Sequence, residues 1–130
     1  MAACLGTPLD VVEPCGFPLS DRSLRRAAMD YGEAAEVTRH DGWTAFQATL
    51  GAARLVLFTT KAALPLHGFA FRADDVLLFG RESAGVPDHV HDAADARLVI
   101  PIRPPARSLN LVTACAIGLA EALRQTRGFE

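Results

Sequence analysis

Residues 77–87 read Leu77-Leu78-Phe79-Gly80-Arg81-Glu82-Ser83-Ala84-Gly85-Val86-Pro87, and residues 98–110 read Leu98-Val99-Ile100-Pro101-Ile102-Arg103-Pro104-Pro105-Ala106-Arg107-Ser108-Leu109-Asn110. Each opens as a short, continuously apolar run of the kind that fills a strand buried on both faces. Each then breaks sharply, the first at Gly80 and the second at Pro101, because glycine and proline punctuate regular structure. Working outward, the first strand extends back to Asp75 and the second covers Leu98 to Ile100. A third strand of the same type spans Arg54 to Phe58.

Helical patterns lie between and after these runs. Ser20 can cap a helix through Leu24, Ala27 and Ala28, with Asp21 placed to complement its dipole, and Tyr31-Gly32 ends it. Asp41 can cap a second helix through Trp43, Phe46 and Leu50, stopped by Gly51. Pro8 to Val12 and Ala34 to Thr38 read as short strands. Ser108 opens a last helix running to about Arg127. Val112, Ala116, Leu119 and Leu123 form one stripe on it, while Ala114, Ile117 and Gly118 are apolar elsewhere. Two-sided apolarity fits a helix packed on its own sheet and on a second subunit, or a central helix in a monomer. Strands alternating with helices predict an α/β fold with a mostly parallel sheet.

The totals bound the function. The chain has 130 residues, 50% hydrophobic and 22% charged, with a formal charge of −2. That fits one globular domain and leaves nucleic-acid binding to a local basic patch. Cys4, Cys15 and Cys115 make no CxxC pair and stand at no metal-ligand spacing from a histidine, so they read as reduced thiols and no metal is expected. No apolar run reaches the roughly twenty residues of a membrane span. The start carries no charged leader, and a cytoplasmic location is expected. Ala2 to Leu5 looks like the last turn of a helix closed by Gly6, either a small turn or the end of a helix begun upstream.

Ligands of open α/β sheets gather beyond the carboxyl ends of strands. Three such segments exist here: Thr59-Thr60-Lys61, the glycine-flanked turn from Gly80 to Pro87, and Ile100 through Asn110. The glycines allow close approach of backbone to a planar ligand, but the spacing is not GxGxxG and no Walker lysine is present. Glu82 alone reads equally as a solvated charge, and Ser108 as a helix cap. Arg22, Arg25 and Arg26 share one helix face and, with Arg39, His40 and Lys61, are candidates for RNA contact or simply a solvated surface.

In combination, the 77–87 segment followed by residues 98–124 resembles the second and third motifs of the SPOUT RNA methyltransferases, most of all the small tRNA enzymes that methylate the wobble-nucleotide ribose. Val11 to Tyr31, Val37 to Phe46 and Leu57 to Ala62 are similar to that subfamily as well. The resemblance implies an α/β domain over residues 1–130 with a C-terminal trefoil knot, acting on tRNA with S-adenosyl-L-methionine as a homodimer through the C-terminal helix region. It implies a cofactor site at Phe58, Thr59, Gly80, Glu82, Gly85, Ile100, Ile102, Ser108 and Asn110, though Phe58, Ile100 and Ile102 also suit plain core packing. It associates the positions of Arg26, His40 and Lys61 with tRNA; Arg22 and Arg25 are RNA candidates by their charge on the same helix face alone, and Arg103 and Arg107 suit either ligand. The family's first motif, an Asn-Thr-Gly loop followed by an arginine that assists deprotonation, would precede Met1, so no catalytic residue is assigned. A chain lacking that strand and motif is expected to transfer methyl weakly or not at all. The alternatives are a knotted module that binds cofactor or RNA without turnover, and an unrelated α/β nucleotide-binding domain.

Overall fold

The computed structural model describes residues 6–12, 37–80, 85–107 and 109–129. The chain divides into two compact units, one up to Gly51 and one from Ala52 onward. Cys4, Cys15, Arg22, Arg25, Arg26 and the helix expected after Ser20 lie outside the described residues.

In the first unit, β1 (Leu9–Val12) pairs in parallel with β2 (Val37–His40), in a register that sets Leu9 against Val37 and Val12 against His40. The described strand Val37–His40 runs two residues past the expected end at Thr38. His40 is buried, and its Nε2 lies 2.8 Å from Asp10 Oδ1 on the neighbouring strand. The Phe46 ring from α1 (Trp43–Gln47) meets the imidazole edge-on at 5.2 Å. Gly42, with no side chain to offer, occupies the N-cap of α1, so Asp41 does not cap it. The helix is also a turn shorter than the expected one: Thr49 Oγ1 donates to the Phe46 carbonyl at 2.7 Å, and Gly51 turns the chain at φ +56.

The second unit is built on three parallel strands in the order β4-β3-β5, where β3 is Leu55–Phe58, β4 Val76–Phe79 and β5 Ala96–Leu98. All four residues of β3 are buried, as a central strand covered on both faces requires. Each fully buried Leu or Val contributes about 1.5–3 kcal/mol over its exposed state. The register places Phe58 opposite both Phe79 and Leu98, so the three strands end level with one another. Strand β5 lies two residues earlier than the expected Leu98 to Ile100. Val99 instead bridges to Pro65, its N–H donating to the Leu64 carbonyl at 2.9 Å while Leu66 N–H donates back to its carbonyl at 3.0 Å.

A six-residue helix, α2 (Asp88–Ala93), follows Pro87; the sequence reading did not contain it. Its carbonyl end is held by Arg97, whose Nε donates to the His91 carbonyl at 2.8 Å and Nη2 to that of Asp92 at 3.3 Å.

The last helix, α3, runs Leu111–Thr126. Its N-cap is Asn110 rather than Ser108: Asn110 Oδ1 accepts from the N–H groups of Val112 at 2.9 Å and Thr113 at 3.3 Å. Burial corrects the stripe as well. Gly118 and Ala122 face the sheet, while Val112 is 60% exposed. The reason is steric. The Phe58 and Phe79 rings stack with centroids 4.7 Å apart, and a Cβ on Gly118 would stand 2.9 Å from Phe58 Cζ and 3.1 Å from Phe79 Cζ. Only a glycine lets the helix axis come this near.

Two clasps complete the unit. Gln125 accepts from Phe71 N–H and donates to the Phe69 carbonyl, both at 2.9 Å, tying α3 to the segment before β4. Arg54 grips Asp75 through Nε (2.8 Å) and Nη2 (2.6 Å) across the base of β3 and β4, its guanidinium 4.6 Å from the Phe69 ring centroid.

Candidate cofactor site

Level strand ends make one rim from three loops. Beyond Phe58, Phe79 and Leu98 the chain leaves the sheet on the same side, and the loops and the start of α3 enclose a cavity of about 500 Å³. This lies within the roughly 300–1,000 Å³ typical of small-molecule sites. Leu57, Phe58 and Phe79 line it from the sheet, Val99, Ile100 and Ile102 from the third loop, and Leu111 and Ala114 from α3.

The first loop is fixed to the sheet where it begins. Thr59 N–H donates to the Leu98 carbonyl at 2.9 Å, and Thr59 Oγ1 accepts from Lys61 N–H at 3.2 Å. The second loop is closed by a backbone contact. A Cβ on Gly80 would fall 2.5 Å from the carbonyl carbon of Gly85, and Gly85 itself sits at φ +66. Both positions require glycine, one for space and one for conformation.

Of the cofactor residues expected from sequence, Phe58, Thr59, Gly80, Gly85, Ile100 and Ile102 line this cavity together. The packing reading of Phe58 holds at the same time, since it belongs to the core and is 8% exposed. Glu82 and Ser108 lie outside the described residues. Asn110 does not line the cavity; its side chain caps α3. Lys61 and Arg107, exposed cations, stand at the cavity. His40 is otherwise placed: it is buried in the first unit against Asp10 and Phe46, so its described role is to hold β1, β2 and α1 together. Arg103 is exposed and Arg39 lies on β2.

Sequence reasoning missed Asp88 and His91. Both line the cavity from α2, three residues apart on one face. A proline followed by an acidic residue is a helix-start signal, and it was available at Pro87-Asp88. The nearby Cys115 cannot act as a thiolate at neutral pH, because burial pushes its thiol up to about 11.

The description "SpoU rRNA Methylase family" fits residues 1–120 of this chain. The chain belongs to that family. Among the relatives of this SpoU methylase is a tRNA (cytidine(34)-2'-O)-methyltransferase of Beijerinckia indica subsp. indica, 56% identical over 127 residues, which are 96% of this chain and 79% of the relative. A solved structure concerned with the 2-OH methylation of C/U34 on tRNA superposes with a TM-score of 0.85 at 41% identity, covering 95% of this chain and 82% of the other. An AdoMet-bound rRNA methyltransferase from Sinorhizobium meliloti gives a TM-score of 0.79 at 28% identity, covering 95% of this chain and 48% of that one. The parallel α/β architecture of this SpoU methylase is thus the one anticipated from its motifs.

Proposed function

We propose that this chain is an S-adenosyl-L-methionine-dependent methyltransferase acting on a tRNA ribose 2'-hydroxyl at the wobble nucleotide, cytidine or uridine. The observation that carries the reading is the convergence of three strand-end loops on one cavity in a chain of the SpoU family. The residues present suit the cofactor. Apolar walls from Leu57, Phe58, Ile100 and Ile102 suit a flat heterocycle, and the mutual approach of Gly80 and Gly85 sets backbone rather than side chain beside the ligand.

When bound, the cofactor supplies the electrophilic methyl group. The chain contributes position and environment. The buried floor at Leu57 and Phe58 excludes water from the inner end of the cavity. Lys61 and Arg107 set positive charge at the opening, where the phosphates flanking a target ribose would be held. We further infer a cytoplasmic enzyme and a homodimer through the α3 region. Val112 and Ile117, 60% and 38% exposed on α3, support a second covered face.

The deciding experiment combines calorimetric binding of S-adenosylhomocysteine with transfer of a tritiated methyl to unmodified tRNA, mapped by nuclease digestion and mass spectrometry. Binding is expected, and whatever label the tRNA takes up is expected at ribose 34. Binding without transfer would make the chain a non-catalytic module, and absence of binding would defeat the cofactor site itself.

A further inference from the structure

The polar groups at the cavity are unevenly distributed. Lys61, Arg107 and Asp88 are exposed, and they stand where a charged group can keep part of its hydration. His91 differs. Its Nε2 is buried and has no hydrogen-bond partner, although the residue lines the cavity. Buried polar atoms are nearly always paired, because an unmade hydrogen bond costs about 1–3 kcal/mol. The other ring nitrogen, Nδ1, lies 3.9 Å from Asp92 Oδ1, beyond hydrogen-bond reach. In the neutral ring with its proton on Nδ1, Nε2 is an acceptor. The His91 backbone is fixed by Arg97, so the ring is carried on an anchored turn.

We propose that His91 is a contact residue for the nucleoside half of the bound cofactor, its Nε2 accepting a hydrogen bond from an N–H or O–H of that half. The inference rests on the cofactor reading above. A sheltered, uncharged acceptor suits the uncharged nucleoside, whereas the charged amino-acid tail would lose its hydration beside it.

The test uses the full chain and two probes at pH 8, S-adenosylhomocysteine and 5'-methylthioadenosine, which shares the nucleoside half and lacks the tail. His91→Leu keeps bulk and removes the acceptor; His91→Gln places an amide oxygen at about the reach of Nε2. His91→Leu should weaken both probes by a similar factor, about five- to tenfold, and His91→Gln should recover most of the loss. Equal affinity of His91→Leu and the parent chain for both probes overturns the proposal. So does a loss confined to S-adenosylhomocysteine, which would assign the ring to the tail. Should His91→Leu fail to fold, the ¹⁵N resonance of His91 Nε2 in the parent chain decides. It must move on titration with methylthioadenosine, and a stationary signal at saturation overturns the proposal. Failure of the parent chain to bind either probe would instead remove the cofactor reading on which this inference stands.

Discussion

Gly80 and Gly85 touch through their backbones: a β-carbon built on the first would lie 2.5 Å from the carbonyl carbon of the second and 2.9 Å from its oxygen. The obstacle is main chain, so no rotamer change can relieve it. Gly80→Ala should therefore force the second loop off the rim. The expected loss is at least about tenfold in S-adenosylhomocysteine affinity and about 1–3 kcal/mol in stability, read by calorimetry and by urea unfolding. A Cβ at Gly85 would meet open space, so Gly85→Ala should cost only the left-handed conformation, about 1–2 kcal/mol, with a smaller effect on binding.

The Arg54–Asp75 pair gives a pH signature. Asp75 has a side chain only 2% exposed. Burial pushes its carboxyl up, but the hydrogen bonds from Arg54 and from the Arg72 N–H outweigh this and hold it below the usual value. A depressed folded-state pKa gives stability that is present above the unfolded value of about 3.9 and lost as pH falls through the folded one. Asp75→Ala should cost about 3 kcal/mol near neutrality, because it leaves a guanidinium without its carboxylate. The gap between parent and variant should stay constant down to about pH 5 and narrow below pH 4. Denaturant titrations at stepped pH measure it, and a gap that widened on acidification would contradict the assignment.

Much of this arrangement was legible in the sequence, for identifiable reasons. The three strands of the second unit were readable because a strand buried on both faces must be apolar throughout, and Leu55-Val56-Leu57-Phe58 is. The loops were readable because glycine and proline end strands. What escaped were features set by tertiary contact. Helix α2 is too short to show periodicity. Strand β5 slides toward Ala96 because Val99 finds its partner at Pro65. The α3 face turned toward the sheet is chosen by the Phe58 and Phe79 rings, which select Gly118 over the larger apolar residues of the expected stripe. His91 escaped because a histidine in a polar run carries no mark of burial until the chain folds.

Gly118 sets two effects against each other. Alanine in a helix interior is favoured over glycine by about 1 kcal/mol. Against that, its methyl would press on Phe58, buried and stacked between Phe71 and Phe79. Overpacking a closed core costs about 1–3 kcal/mol, so Gly118→Ala should lower stability by about 1 kcal/mol despite its better propensity. Chemical denaturation would expose the opposite sign if the rings move freely.

Asn110 separates capping from ligand contact. Asn110→Ala should lower stability by about 1 kcal/mol and the melting temperature by about 4 °C, and Asn110→Ser should restore both. Affinity for S-adenosylhomocysteine measured on Asn110→Ser then reads any direct contact free of the cap: an unchanged value is expected from the described geometry.

The central position of β3 has a consequence for synthesis. Leu55 donates its N–H to Asp95 Oδ2, forty residues later in the chain, and β5 is the last strand to flank it. At roughly 5–20 residues per second, a ribosome leaves this apolar strand without its second neighbour for roughly two to eight seconds. This segment, the most buried among the described residues, is therefore the one that a nascent-chain chaperone would have to shield longest.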